Sequence, residues 1–552
     1  MTIDRVFPLA CVLWLMTLLT GAPYAAQSSP ANSRQKGHAE VPLFTTSEDC
    51  VACHNNLMSA EGEDVSIGST WRSTMMGNAG RDPYWQAGVR RETIDHPSAS
   101  DDIQDECATC HMPMLQKTAR AAGRKANVFA NLPVANGDES EAHRLASDGV
   151  SCTVCHQVSN DKLGTRENFN GGFVLQPTPV GGIRKLFGPF SIDAGRTRIM
   201  QSVTGFEQLE APHIRQSELC ASCHTLFTQA LGPDGRVVGS LPEQMNFQEW
   251  QHSAYSNEQR SCQSCHMPVV QGSARISSVL GDPREGLARH LFVGGNFFMV
   301  RMLNRYRADL GVKALPSEFE ATAKATVRQL EEDTATISIE QATQLADRLT
   351  VDVDVRNLAG HKMPTGYPSR RSWLHLTVRD SSAGIVFESG AVTETGLIQG
   401  NDNDIDPTKF EPHYDEIRRP DEVQIYEPIL GDGGNVPTTG LLQATQYLKD
   451  NRLLPRGFDK ASADQDIAVH GGAVRDANFI GGSDRVRYLI DVPAGRGPFQ
   501  IEAELRYQPI GFRWAHNLER YDALEPRRFV SFFESMASSS SIVLAHSSAR
   551  VQ

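Results

Sequence analysis

Five stretches of this sequence share one arrangement of reactive residues: Cys50-Val51-Ala52-Cys53-His54, Cys107-Ala108-Thr109-Cys110-His111, Cys152-Thr153-Val154-Cys155-His156, Cys220-Ala221-Ser222-Cys223-His224 and Cys262-Gln263-Ser264-Cys265-His266. Two thiols separated by two residues can each form a thioether to one porphyrin, and a histidine directly after the second is held where it can bind the iron. The five copies use ten of the eleven cysteines. Zinc sites also use C-x-x-C, but they need two pairs, or a pair with separated histidines, and require no histidine after each second cysteine. Thiol redox motifs follow no such rule, and structural disulfides do not keep one spacing throughout. The pattern therefore implies five covalently attached haem c groups. Cys50, Cys53, Cys107, Cys110, Cys152, Cys155, Cys220, Cys223, Cys262 and Cys265 are the attachment points, with His54, His111, His156, His224 and His266 as proximal ligands.

A haem held by one histidine needs a second axial ligand or keeps an open site, and this separates a carrier from an enzyme. Outside the motifs, the first region holds His96, His143, His213, His252 and His290, besides His38 near the start. His143 and His213 lie nine and seven residues before a motif, where chain leading into one haem can serve its neighbour. His290 sits in the aromatic and glycine-rich stretch Leu291 to Asn296, and His361 in the turn Gly360-His361-Lys362-Met363-Pro364-Thr365-Gly366. His96, His143, His213, His290 and His361 form the expected distal set, five histidines for five irons. His252 fits the pattern less well. Met75 or Met76 offers a thioether, although core packing suits these methionines better. Tyr255, a poor ligand as a neutral phenol, would mark an open iron if it stood over one.

These ligands must be positioned by the chain around them. The motifs begin 42 to 68 residues apart, which leaves room for short helices and irregular chain wrapped on porphyrin, with the haems as the apolar core. Trp71-Arg72-Ser73-Thr74-Met75-Met76 and Trp250-Gln251-His252-Ser253-Ala254-Tyr255 form a weak internal repeat, each leading to C-x-x-C-H-M-P. Ser317 and Glu320 suit a capping box for a helix carrying Phe319, Ala323, Val327 and Leu330. Leu349 to Val355, Trp373 to Val378 and Phe499 to Leu505 alternate with period two, as antiparallel strands do. A helix is expected near Thr439 to Leu454 and a final strand or loose end at the C-terminus. The fold expected is α+β and multidomain: a mainly α or irregular multihaem cytochrome c domain over 43–310, a linker helix over 311–333, and an antiparallel β-sandwich-like domain over 334–552.

The 552 residues exceed one ordinary core. The formal charge of −13 argues against nucleic acid as a partner and suits basic redox proteins. Arg5, an apolar run from Val6 to Gly21 and small residues at Ala25 and Ala26 read as a signal peptide over 1–26, with a polar leader over 27–42. Periplasmic or secreted location follows, with no membrane span after cleavage. Asn401 to Asp406 offers oxygen ligands of the calcium kind but lacks EF-hand spacing, so a solvated acidic turn is expected.

On Trp71 through Met76, Asp148-Gly149-Val150-Ser151-Cys152, Ser217-Glu218-Leu219-Cys220 and Glu243-Gln244 ahead of Glu249-Trp250, the region 43–300 resembles the multihaem cytochromes with a cytochrome c-552/4 type of domain. The Gly360–Gly366 turn and the β tail resemble the extra domain of larger members. The resemblance implies electron transfer, with some relatives acting on small nitrogen or sulfur species. In the family element W-x-x-S-x-H the last residue can ligate haem; here Met76 and Tyr255 stand there. Two functions are thus expected in order: an exported pentahaem electron carrier with mostly bis-histidine haems, then an oxidoreductase with one open haem acting on a small nitrogen or sulfur oxyanion. The third possibility makes the β domain a docking or carbohydrate-binding module wired by haem.

Overall fold

The computed structural model describes residues 42–133, 140–177, 182–493 and 495–552. The expected signal peptide and all but the last residue of the leader lie outside the described residues. Helices and several antiparallel sheets make an α+β architecture, and Val41–Gln552 forms one compact unit. Among the described residues no helix is long and apolar enough to cross a membrane.

The first half is mainly helical and irregular, with three two-stranded sheets among the described residues, the longest pairing Thr225–Leu231 with Val237–Met245. Its helices start as local chemistry dictates: Asp82 caps Pro83–Asp95, its Oδ1 accepting from Tyr84 N and Trp85 N at 2.8 and 3.2 Å, with Pro83 at the first helical position. A short helix, Pro113–Ala121, follows the second motif. Apolar residues here gather into small separate clusters, such as Phe44, Met114, Leu145, Val154, Val158 and Phe173. Of these, Val154, Val158 and Phe173 line a cavity.

The three alternating stretches are strands, Arg348–Asn357, Arg371–Arg379 and Phe499–Gln508. One sheet runs Glu416–Ile417, Ser483–Asp491, Arg348–Asn357, Ala335–Leu345, antiparallel except for the short first pair. The other runs Ile385–Ser389, Arg371–Arg379, Phe499–Gln508, Ile542–Val551, with Ile425–Tyr426 added to Arg371–Arg379. Their inward residues, including Val351, Val353, Leu374, Leu376, Val486, Tyr488, Ile501 and Leu505, share one core. Period two puts these on one face of each strand, while Asp352 and Arg487 pair across strands on the other.

Three local expectations need correction. The helix Pro316–Asp333 begins earlier than the capping box placed it: Glu318, not Glu320, reaches back to the Leu315 N–H at 2.9 Å. Residues 439–454 hold turns and the strand Gln446–Asp450, because that segment pairs with Pro428–Gly431. The acidic stretch 401–406 is not wholly solvated: Asp404 is 2% exposed and takes both guanidinium nitrogens of Arg371 at 2.7 and 2.8 Å. The helix Leu524–Glu534 packs against Pro83–Asp95, where Arg90 holds Glu525 at 2.8 and 3.1 Å. The C-terminal region thereby closes over the motif-bearing half.

Candidate haem-binding site

Each motif is one helical turn. The second, fourth and fifth lie in Ser100–His111, Ser217–His224 and Cys262–His266. In the first and third, the histidine N–H returns to the carbonyl of the first cysteine, both at 3.1 Å. One turn puts residues i, i+3 and i+4 on one face. Both sulfurs and the imidazole of each motif are thus presented together, as one metalloporphyrin attached on one side requires.

Four of the five motif imidazoles are oriented by backbone carbonyls. The Nδ1 of His54, His156 and His266 meets the carbonyls of Ile276, Phe187 and Val293, each at 2.5 Å, and that of His111 meets Ala79 at 3.3 Å. An N–H donated from Nδ1 leaves the Nε2 lone pair for a metal. Burial lowers the pKa of all five, to about 4 for His111 and His224, so they are neutral at neutral pH, as ligands must be. Trp85 stacks on His111 at 4.5 Å and 7°, holding that ring from the side.

The motifs open on one continuous cavity of about 1670 Å³, well beyond the roughly 300–1,000 Å³ of an ordinary ligand pocket. Their order in space differs from their order in sequence. Cys152 lies close enough to Cys50 to push its thiol up, as Cys110 does for Cys223 and Cys262 for Cys220. Cys155 also feels Cys223, and its thiol is pushed up to about 12, chiefly by burial. The first motif therefore neighbours the third, the third neighbours the fourth, and the fourth neighbours both the second and the fifth.

Named residues hold this order. Asp148 accepts from Ser47 N and Oγ, both at 2.7 Å, and from Ser151 Oγ, tying the chain entering the first motif to that entering the third. Gly149 has φ +60°, and a side chain there would meet the Met76 carbonyl at 2.5 Å, so the close approach needs glycine. Ser217 Oγ accepts from Cys262 N at 3.0 Å, joining the fourth and fifth. Gly171 N donates to Ser222 O at 2.6 Å, and a side chain there would meet Thr109, joining the second and fourth. The tryptophan repeat has a role as well. The Trp71 indole donates to the Val150 carbonyl and that of Trp250 to the Arg260 carbonyl, in each case two residues before a motif. The first copy therefore braces the third motif and not the second, which follows it in sequence.

Two expected distal histidines face motif histidines. His290 stands 6.5 Å from His156, ring centre to ring centre, at 21°; His361 stands 6.2 Å from His266 at 14°. Two imidazoles on opposite sides of one ion, each with nitrogen about 2 Å from it, have ring centres roughly 6 Å apart. Their own Nδ1 atoms meet the carbonyls of Ala288 at 3.1 Å and Lys362 at 2.9 Å. The other three are buried off this cavity wall. His96 carries a buried Nε2 with no hydrogen-bond partner. His143 lies on Glu141–Ser147. His213 places Nε2 against the Val158 carbonyl at 2.8 Å, which leaves Nδ1 as its metal-binding atom. His252 bonds Gln248 O and lies beside Asp464.

Met76 lines the cavity. Tyr255 also touches it, but its hydroxyl donates to the Leu358 carbonyl at 2.5 Å and its ring packs on Gly360, so it braces the turn that carries His361. Replacing Tyr255 by Phe is expected to lower stability by about 0.5–1.5 kcal/mol, read by denaturation, and to leave the iron spectra unchanged. A spectral change would put the phenol over an iron.

The walls suit haem: they are largely apolar, with Arg215, Arg260 and Arg370 among them as cations that would face propionates, while Arg91 and Arg120 are paired with Asp95 and Asp105. Arg370 lies close enough to lower the pKa of His224, His266 and His361. Sequence reading missed these arginines, because an isolated arginine carries no motif. It also missed a buried acid pair near Cys107, Glu92 and Glu243, the latter pushed up to about 7, mainly by burial.

No protein-family model matches the chain, and no curated protein matches it. Among solved structures it is similar in fold to a penta-heme cytochrome c552 from Thermochromatium tepidum, with a TM-score of 0.50 and 16% identity over 93% of this chain and 100% of that one. The likeness is one of fold.

Proposed function

We propose that this chain is an exported pentahaem c-type cytochrome that transfers electrons, with haem c on all five motifs. The observation that carries the reading is the set of five one-turn Cys-Cys-His units opening on a single cavity, two of them faced by a second imidazole at the spacing one shared iron needs. The fold likeness to a penta-heme cytochrome c552 supports it. Haem, when bound, supplies a one-electron Fe(III)/Fe(II) couple. The chain's part is to hold neighbouring units close, with the fourth as a branch point, and to saturate the irons. On this reading His290 serves the haem of Cys152–His156 and His361 that of Cys262–His266; the other expected ligands, His96, His143 and His213, do not line the cavity.

Location outside the cytoplasm follows from the N-terminal segment and the chemistry of haem attachment. The acidic charge suits basic redox partners. The oxidoreductase reading loses one of its two prompts, since Tyr255 is engaged by Leu358, while Met76 still lines the cavity. Expression in cells able to mature c-type cytochromes tests the proposal. Mass and haemochrome absorbance are expected to give five haems per chain; a colourless product or a lower stoichiometry would overturn it.

A further inference from the structure

We propose that Glu249 is the positioning residue that aims the His361 imidazole into the haem space of the fifth motif, an inference that rests on the ligand reading above. His361 sits in a turn whose polar groups are held from outside it. Lys362 is clamped at three atoms: its N–H donates to Glu249 Oε2 at 3.2 Å, its carbonyl meets His361 Nδ1 at 2.9 Å, and its Nζ donates to Asp450 Oδ2 at 2.7 Å and to Ala468 O at 3.2 Å. Thr365 Oγ1 donates to the same Glu249 oxygen at 2.6 Å. Asn357 Nδ2 holds the His361 carbonyl at 2.8 Å, and Met363 exchanges backbone bonds with Leu453.

Glu249 joins this turn to a buried charge set. Its Oε1 meets Arg452 Nη1 at 3.0 Å, and Arg452 also holds Asp450 with two nitrogens, each at 2.8 Å. The side chains of Glu249, Lys362, Asp450 and Arg452 are exposed by 7% or less. Two acids balance two bases. A buried network of this kind adds little stability over an apolar core, and its best-attested use is to fix one register. Here the register is the direction of an imidazole. The placement of Glu249 on Asn246–Gln251 adds to the argument. The next residue on that short helix, Trp250, holds the chain entering the fifth motif through the Arg260 carbonyl. One helix thereby fixes both the proximal and the distal side of the same space, 6.2 Å from ring to ring. The distal imidazole is set before any metal pulls on it, which is the support a site of fixed geometry needs.

The test uses the full haem-loaded chain, oxidised, with spin states read by electron paramagnetic resonance. Glu249→Gln keeps the volume but removes the charge that faces Arg452 and leaves one oxygen where the native carboxylate sets one on the turn and one beside Arg452. It is expected to raise the high-spin fraction towards one haem in five, to let cyanide bind that haem, and to return to low spin when imidazole is added. Thr365→Val, which removes a single hydroxyl, is expected to shift the same signal by a smaller amount. His361→Ala is the control. If His361→Ala gains one high-spin haem while Glu249→Gln matches the native spectrum, the positioning role is overturned and the ligand assignment stands. If His361→Ala itself stays low-spin, the assignment beneath it falls. Should Glu249→Gln fail to accumulate as holoprotein, an unchanged spectrum in Thr365→Val overturns the proposal.

Discussion

Replacing Cys152 and Cys155 together by serine is expected to leave four haems per chain and a protein of much lower thermal stability. The third motif is a junction: its sulfurs neighbour those of the first and fourth, Asp148 ties its entry to Ser47, and Trp71 holds the Val150 carbonyl. A haem lost here empties space that no side chain is placed to fill. At about 24 cal/mol per Å³ of residual cavity, one fifth of a 1670 Å³ cavity amounts to on the order of 8 kcal/mol. Wall collapse makes that an upper bound, yet it is comparable to the roughly 5–15 kcal/mol that keeps a domain folded. Haemochrome absorbance per chain should fall to four fifths of the native value, and the melting transition should drop with it. Native haem content in this variant would mean that these thiols do not carry a haem.

The Cys-x-x-Cys-His units were legible in the sequence because each is local: both sulfurs and the imidazole share one helical turn. The strands were legible for a similar reason, since a half-buried sheet writes period two into residues such as Val351, Val353 and Val355. What was not legible depends on distant partners. Nothing in the spacing of Cys50 and Cys107 says that the first motif meets the third; Asp148 decides that from 101 residues beyond Ser47. Trp71 leads to the second motif in sequence but braces the third in space. The stretch Thr439 to Leu454 read as helical, yet pairing with Pro428–Gly431 draws Gln446–Asp450 into a strand, a case of tertiary context overriding local preference. The helix Leu524–Glu534 did leave a signal, Phe529, Phe532 and Phe533 at helical spacing, which the strands around it obscured. Among the distal candidates, histidines in turns with glycine or proline close by, His290 and His361, face a motif. Those read from their distance to the next motif, His143 and His213, do not line the cavity.

That difference sets up the sharpest contrast among the histidines. His290→Ala is expected to convert one haem in five from low to high spin in the oxidised protein, while His252→Ala changes nothing. His290 faces His156 at 6.5 Å and 21°, and burial, together with the neighbouring His156 and His54, brings its pKa to about 4. It is therefore a neutral ring with Nδ1 on the Ala288 carbonyl and Nε2 free for iron. His252 has its Nδ1 on Gln248 O and its Nε2 beside Asp464, a side chain 73% exposed, so both its nitrogens are engaged away from the cavity. Removing a strong sixth ligand weakens the ligand field at one iron only, so the loss should appear as a single high-spin component and a single cyanide-binding site. The five-haem stoichiometry should be unchanged, because attachment depends on Cys152 and Cys155. If the His290 variant stayed fully low-spin, another side chain would have to reach that iron. Met76, on the same cavity wall, is the residue to replace next.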